Sequence, residues 1–328
     1  MPRTLEIGCM LRTSAYAADP DALRGLAQTA EDLGFDSIWL SDHVVVPEHI
    51  ASSYPYTVDG TFPTRPDQPY LEPLSALAYL AGMTRRVRLG THVLILPYRH
   101  PLLTAKMVAT IDNLSGGRVD LGIGVGWMRE EFEALGQPTY ARRGAATDEQ
   151  IKILKTVWQQ QVASFEGEFY SFDRVGALPH PIQKPHPPIW VGGHSPAALR
   201  RTARYGDGWL PIGARPPADL PPETVAADWA KILVEAERVG RDPSQLRLCF
   251  STAVGFDPPA DEQRPFSGSS EQVTADFRRY RDVGVDSFIV NFTSRAPGDN
   301  ERYMRRFAEE VRPAIGEGVA LVGGGTGT

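Results

Sequence analysis

What most constrains this 328-residue chain is the repeated alternation of short, wholly apolar runs with helical patterns. The clearest unit runs from Arg88 to Trp127. An apolar β-branched run, Val87 to Leu96, passes through Pro97 and His100-Pro101 into a helical pattern, and Ser115-Gly116-Gly117-Arg118 turns into a second apolar run, Val119 to Val125. Strands without an apolar/polar alternation are buried on both faces, as a parallel sheet requires. The same unit recurs along the chain. Leu5 to Met10 precedes a helix opened by Asp19-Pro20, and Ser37 to Leu40 precedes one at Pro73 to Met83. The fourth strand is followed by a helix from about Asp148 to Trp158, then by loops containing FEGEFYSF and HPIQKPHPP. Strands at Ile189–Val191, Gly208–Leu210, Leu246–Val254 and Ser287–Asn291 precede helices near Ala197–Tyr205, Thr224–Val239, Ser270–Val283 and Asn300–Val311. Eight such pairs with no composition shift predict an α/β fold of the closed (β/α)8 barrel type. The competing doubly wound sheet with a second domain calls for a GxGxxG turn after the first strand, where MLRTSAYAADP stands instead.

The expected organisation is one barrel domain over residues 1–315, with a tail at 316–328 expected to be disordered. An insertion at about 44–73, dense in Pro and aromatic residues, is too long for an ordinary connection and reads as a lid. No apolar window reaches the length of a membrane span, and MPRTLEIGCMLRT lacks a signal-peptide pattern, so a cytoplasmic protein with no membrane partner is expected. The net charge is −6 with Lys and Arg dispersed, which argues against nucleic acid as a partner. Two cysteines, Cys9 and Cys249, are read as buried reduced thiols.

In a barrel the C-terminal strand ends share one pocket. Those ends are Ser41-Asp42-His43, Thr91-His92-Val93, Gly124 to Trp127, Gly192 to Ser195, and Asn291. Asp42-His43 sets a carboxylate beside an imidazole that titrates near neutral pH, a proton donor or a structural pair. Gly192-Gly193-His194-Ser195-Pro196 offers free amides and an N-cap at a helix start, suited to a phosphate or simply to a capped turn. Gly122, Gly124 and Gly126 leave one strand face bare, for a flat ring or for close packing. Tyr54, Tyr56, Phe62 and Tyr70 are placed to line a pocket or to pin the lid. No His-x-His occurs and each lysine falls in a helical or loop pattern, so a metal hydrolase and a lysine-dependent sugar-phosphate barrel both lose support. A large planar cofactor is favoured, and no metal is expected.

Three segments, AEDLGFDSIWLSDHVVVP, RLGTHVLILPYRHPLLTAKMVATIDNLSGGRVDLGIGVGWMREEFEALG and PPIWVGGHSPAALRRTARYGDGWLP, together resemble the luciferase-like family of flavin- and deazaflavin-dependent oxidoreductases. That family folds as a (β/α)8 TIM barrel with insertions. SSYPYTVDGTFP and GVGWMREEFEALG are similar to its coenzyme F420-dependent branch. The resemblance implies that Asp42 contacts the deazaflavin and that His43 is the general acid or polarising donor. It implies a non-prolyl cis peptide at His92-Val93, in a bulge with Thr91 that backs the ring, and a cofactor phosphate held by Gly192, Gly193, His194 and Ser195. Gly124 and Gly126 would complete the cofactor pocket, with Trp127, Tyr54, Tyr56 and Phe62 around a small-molecule substrate. A homodimer is expected from the resemblance alone. In the family's sugar-phosphate and alcohol dehydrogenases a Glu follows the Gly-x-Gly of the fourth strand, where Trp127 stands here. Glucose 6-phosphate is therefore not expected as substrate unless Glu130 or Glu131 reaches in. The expected activity is F420-dependent hydride transfer to an unsaturated or carbonyl compound. The alternatives are an FMN-dependent monooxygenase and a non-catalytic flavin-binding protein.

Overall fold

Eight parallel strands follow the chain order and close on themselves, in a computed structural model that describes residues 4–14, 18–258, 264–293 and 298–316. They are β1 Glu6–Met10, β2 Ser37–Leu40, β3 Arg88–Thr91, β4 Val119–Gly124, β5 Ile189–Gly192, β6 Gly208–Leu210, β7 Arg247–Phe256 and β8 Ser287–Phe292. The register is set by pairs such as Gly8↔Ser37, Leu40↔Thr91 and Gly122↔Trp190. Leu89↔Val119, Trp190↔Gly208, Arg247↔Gly208, Phe250↔Phe288 and Cys9↔Val290 join the remaining neighbours, so the eight strands form a closed ring. The expected (β/α)8 barrel is the observed fold. Of the tail expected at 316–328, Gly316 ends a short helix, Arg312–Gly316, and 317–328 lie outside the described residues.

The helices start where the sequence supplies a cap and a proline. α1 (Pro20–Asp32), α2 (Pro73–Met83), α3 (Pro101–Ser115) and α5 (Pro196–Tyr205) each begin with Pro after a side-chain cap from Asp19, Glu72, His100 and Ser195. Proline costs nothing there because its missing N–H would have had no partner, and the cap oxygen or nitrogen takes one of the free amides. Between α3 and α5 lies α4, Arg143–Gln159, which starts five residues before the expected Asp148. α6 (Pro222–Arg238), α7 (Ser270–Asp282) and α8 (Asp299–Arg306) complete the outer layer.

Two departures from the expected elements have local causes. FEGEFYSF is not a loop but the turn of an antiparallel hairpin, Ala163–Glu166 with Ser171–Val175. Phe165 and Phe172 stack across it at 6.1 Å, and the Glu149 carboxylate accepts the amides of Glu168, Phe169 and Tyr170 at its tip. The run Val87 to Leu96 is likewise not one strand. The His92-Val93 bond is cis, and the strand resumes as Leu94–Ile95, still pairing with β4.

Inside the barrel sits a small separate core of Trp39, Trp190, Leu210, Cys249 and Ile289. The two indoles meet edge to face at 6.5 Å, and each N–H is satisfied, by Ser37 Oγ at 2.8 Å and by Asp120 Oδ1 at 3.2 Å. They fit because neighbouring strands carry no side chain opposite them. A Cβ on Gly90 would lie 2.2 Å from the Trp39 ring, and one on Gly208 2.3 Å from the Trp190 ring. This indole floor closes the barrel beneath the C-terminal strand ends. Gly90→Ala should therefore destabilise the protein by about 3 kcal/mol, the upper end for overpacking a core. An unchanged urea midpoint for this variant would contradict that account of the floor.

Candidate active site at the C-terminal strand ends

A cavity of about 550 Å3 opens at the ends of β1, β2, β3, β6 and β8 and beside the middle of β7. Of the residues expected from sequence, Asp42, His43, His92, Val93, Trp127, Tyr54, Tyr56 and Phe62 line it. Thr91, Gly124, Gly126, Gly192, Gly193, His194 and Ser195 are not part of its wall.

His43 is held from behind. Its Nδ1 lies 2.7 Å from Glu131 Oε2, while Glu131 Oε1 accepts the amides of Val44 at 2.7 Å and Val45 at 3.2 Å. Glu131 has no solvent exposure and sits on a short helix, Arg129–Ala134, after β4. Three N–H donors converging on one carboxylate keep it an acceptor, so the proton of neutral His43 resides on Nδ1 and Nε2 is the nitrogen left for the cavity. Glu131 therefore does not reach in as a substitute proton donor. Nor does Glu130, whose Oε1 accepts the lid amides of Ala51 and Ser52.

Asp42 is equally committed. Its carboxylate forms a two-bond pair with Arg99, both contacts at 2.8 Å, and accepts the Ile95 amide at 2.9 Å. Burial pushes the Asp42 carboxyl up, against the opposing pull of the Arg99 guanidinium. Arg99 also reaches Glu72, the cap of α2, at 2.8 Å. The pair thus ties the end of β2 to the bulge after β3 and to the base of the lid.

The lid folds its aromatic side chains over His43. The Phe62 ring lies 4.6 Å from the imidazole, and Tyr54, Phe62 and Trp127 lie 5.1 to 5.4 Å from one another. Burial pushes the Tyr56 phenol up to about 12, so it remains a hydrogen-bond donor at neutral pH. Tyr70, at the far end of the lid, hydrogen-bonds Ser41.

The glycines of β4 and β5 serve close packing rather than a bare wall. A Cβ on Gly124 would lie 2.5 Å from Val93 Cγ2, and one on Gly192 3.0 Å from Val93 Cγ1. Gly126, at φ +83°, accommodates Phe132 and Ile95. Thr91 Oγ1 donates to Gly122 O at 2.7 Å. The glycines thus seat the valine of the bulge, and His92 and Val93 themselves line the cavity.

His92 is buried, and its Nε2 has no hydrogen-bond partner. Thr252 Oγ1, from β7 on the same cavity, is also buried and without one. Such atoms are expensive to leave unmatched, so a polar ligand group is anticipated there. The turn after β5 has Gly193 at φ +91° with its carbonyl accepting Trp209 Nε1 at 2.8 Å, and Ser195 capping α5 through the Ala198 amide at 3.2 Å. His194 and Ser195 are exposed. Sequence reasoning missed Arg12, Arg215 and Thr252 on the cavity wall, because each sits in a segment whose approach to the others depends on barrel closure. Among the described residues no group of three His, Cys, Asp or Glu side chains is arranged to hold a metal, and no helix is long and apolar enough to cross a membrane.

The chain is an eight-stranded barrel with a bulged third strand and an aromatic insertion packed over a His–Glu pair. The chain belongs to the luciferase-like monooxygenase family, whose model matches residues 5–324. It is 39% identical over 191 residues to an uncharacterised protein of Mycobacterium tuberculosis, a match covering 58% of this chain and 65% of that one. The matched region thus spans just under two thirds of that relative. It is 26% identical to an F420-dependent glucose-6-phosphate dehydrogenase of Nakamurella multipartita, over 96% of this chain and 97% of the relative. Among solved structures, an F420-dependent secondary alcohol dehydrogenase in complex with an F420–acetone adduct superposes with a TM-score of 0.76 at 19% identity, covering 95% and 99% of the two chains.

Two measurements check the site. Glu131→Gln places an amide NH2 opposite Nδ1, so His43 should move its proton to Nε2. Nitrogen NMR of the labelled imidazole reads the tautomer directly, and an unchanged spectrum would show that Glu131 does not set it. The second concerns His92, which burial holds down at about 4. The unfolded state, with a pKa near 6.5, then binds more protons between the two values. Stability from this residue is complete above about pH 6.5 and is lost as pH falls toward 4, by up to about 3 kcal/mol. His92→Asn should flatten the stability profile over that window, as seen by urea denaturation at successive pH values.

Proposed function

We propose that this protein is an oxidoreductase that uses coenzyme F420 to transfer a hydride to an unsaturated or carbonyl small molecule. The observation that carries the proposal is the buried His43–Glu131 pair facing an aromatic-walled cavity across from the bulge at His92-Val93. The relatives named above with an F420-dependent activity support the choice of cofactor.

The residues present suit a large, flat, partly polar group. The cavity is within the size range of small-molecule sites, its walls are mostly apolar and aromatic, and buried polar atoms of its wall, His92 Nε2 and Thr252 Oγ1 among them, have no hydrogen-bond partner. Asp42, Val93 and His92 are the proposed ring contacts, Asp42 through its place in the wall because its carboxylate is already paired. Thr91, Gly124 and Gly126 are proposed to act indirectly, by shaping the bulge. The turn Gly192, Gly193, His194 and Ser195 is proposed to take the cofactor phosphate, outside the cavity that receives the ring. When bound, the deazaflavin supplies the hydride chemistry.

The chain's own residues provide the rest. Glu131 fixes the His43 tautomer and ring orientation, so that Nε2 is the nitrogen placed to hold or deliver a proton at the substrate. Trp127, Tyr54, Tyr56 and Phe62 exclude water and align a planar acceptor. With Trp127 where sugar-phosphate dehydrogenases of the family carry an acid, glucose 6-phosphate is not the proposed substrate. An FMN-dependent monooxygenase is the second reading, favoured by the family to which the chain belongs.

Titration of the purified protein with coenzyme F420 and with FMN, followed by absorbance and fluorescence, separates the two. Tight binding of F420 alone is expected, whereas preferential FMN binding with oxygen uptake would overturn the proposal. His43→Ala should keep cofactor affinity within a few fold while lowering turnover by roughly 100-fold or more. Unchanged turnover would remove His43 from the proton-transfer role.

A further inference from the structure

Charge in the cavity wall is unbalanced. Arg215, on the loop after β6, and Arg12, after β1, both line it, and neither forms an ion pair among the described residues. The carboxylates that approach this region are already matched. Asp42 is paired with Arg99, and Glu131 faces His43 and two amides rather than the cavity.

Arg215 is not a loose surface side chain. Its backbone is fixed by reciprocal hydrogen bonds, Arg215 N to Ala218 O at 3.1 Å and Ala218 N to Arg215 O at 2.7 Å. The same loop is tied to β7 by Gly213 N to Ser251 O at 3.0 Å, and to α7 by Tyr280 Oη to Leu220 O at 2.9 Å. The guanidinium sits over the Tyr56 ring with its central carbon 6.0 Å from the centroid. It also lies close enough to Tyr54 to draw that phenol's pKa down, although burial dominates and the net shift is upward. The guanidinium thus sits on a loop anchored by backbone hydrogen bonds, against two tyrosines and without an ion-pair partner among the described residues.

We propose that the substrate of this pocket is an anion, a planar unsaturated or carbonyl compound bearing a carboxylate, which Arg215 binds and Arg12 supports while the rings of Tyr56, Phe62 and Trp127 hold its flat body beside His43. The inference rests on the hydride-transfer reading only for the word substrate. The binding site itself does not depend on which cofactor is used. A carboxylate is favoured because guanidinium forks match it with two parallel hydrogen bonds, and because Arg215 is half-buried against the Tyr56 ring, where solvent screens a charge less than on an open surface. The cofactor's own phosphate is assigned elsewhere, to the turn after β5, which is not part of the cavity wall.

Cinnamate and its uncharged analogue cinnamamide test this without requiring turnover. Both are planar and unsaturated, and they differ in charge at one group. By isothermal titration calorimetry at pH 7.5 on cofactor-free protein, cinnamate should bind at least tenfold more tightly than cinnamamide. Arg215→Gln should bring that ratio to about one, Arg215→Lys should retain at least a threefold preference, and coenzyme F420 affinity should change less than twofold in either variant. Equal binding of the two probes by the unsubstituted protein, no saturable cinnamate binding, or a preference that survives Arg215→Gln would each overturn the proposal. So would a loss of F420 affinity in Arg215→Gln with cinnamate binding intact, which would assign the guanidinium to the cofactor. A cinnamate preference in a protein that binds FMN instead of F420 would support the anion site and refute only the cofactor assignment.

Discussion

A carboxylate taken wholly out of water must be surrounded by donors, and the donors around Glu131 come from a single strand end. His43 Nδ1 and the amides of Val44 and Val45 all follow β2, while Glu131 arrives from the helix after β4. The interaction therefore fastens the start of the lid to the far side of the bulge and fixes the imidazole in the same act. Asp42 does the corresponding work one residue earlier, joining β2 to Ile95 and, through Arg99, to the cap of α2. Removing a partner from either group would leave a buried charge uncompensated, at a cost of about 3–5 kcal/mol. Geometry at the His43 imidazole and stability of the strand ends are thus the same physical fact.

This explains why the sequence made some features legible and hid others. Barrel closure could be inferred because each apolar run carries its own signal, and the helix starts because Asp19-Pro20 and Ser195-Pro196 combine a cap with a fixed φ. His43 and Trp127 stand out because they end apolar runs. Glu131 does not, since in MREEFEALG one buried glutamate looks like any glutamate on a solvated helix, and only Phe132 beside it hints that the segment turns inward. The distinction between Glu130 and Glu131, one holding lid amides and the other the His43 imidazole, depends on the helical phase of a six-residue element, which no periodicity can fix. Arg215 was invisible for a different reason, because a cation acquires meaning from what surrounds it. The glycines of β4 were legible as a pattern but not as a purpose, for a bare strand face is equally what a ring or a neighbouring valine requires.

The indole floor and the seated Val93 show a further economy. Trp39 and Trp190 fill the barrel interior against Gly90 and Gly208, and Val93 fills the space above Gly124 and Gly192. Large residues on some strands are matched by missing side chains on the next, so the interior is packed up to the level of the bulge and open above it. Depth of the cavity is set by that packing rather than by the lid.

Above the floor, electrostatics are strengthened by what the lid excludes. The aromatic rings lower the local dielectric response, and a guanidinium without a carboxylate partner is then a more selective group than it would be on an open surface. Glu131 holds the His43 ring from the side away from the cavity, so the proposed proton transfer would start from a fixed ring orientation. In the proposed binding mode a cation and a backed imidazole would fix two points of a flat acceptor, and the lid rings would hold the body between them. Discrimination by such a pocket would fall on the charged end and on planarity, and leave the ring substituents between them comparatively free.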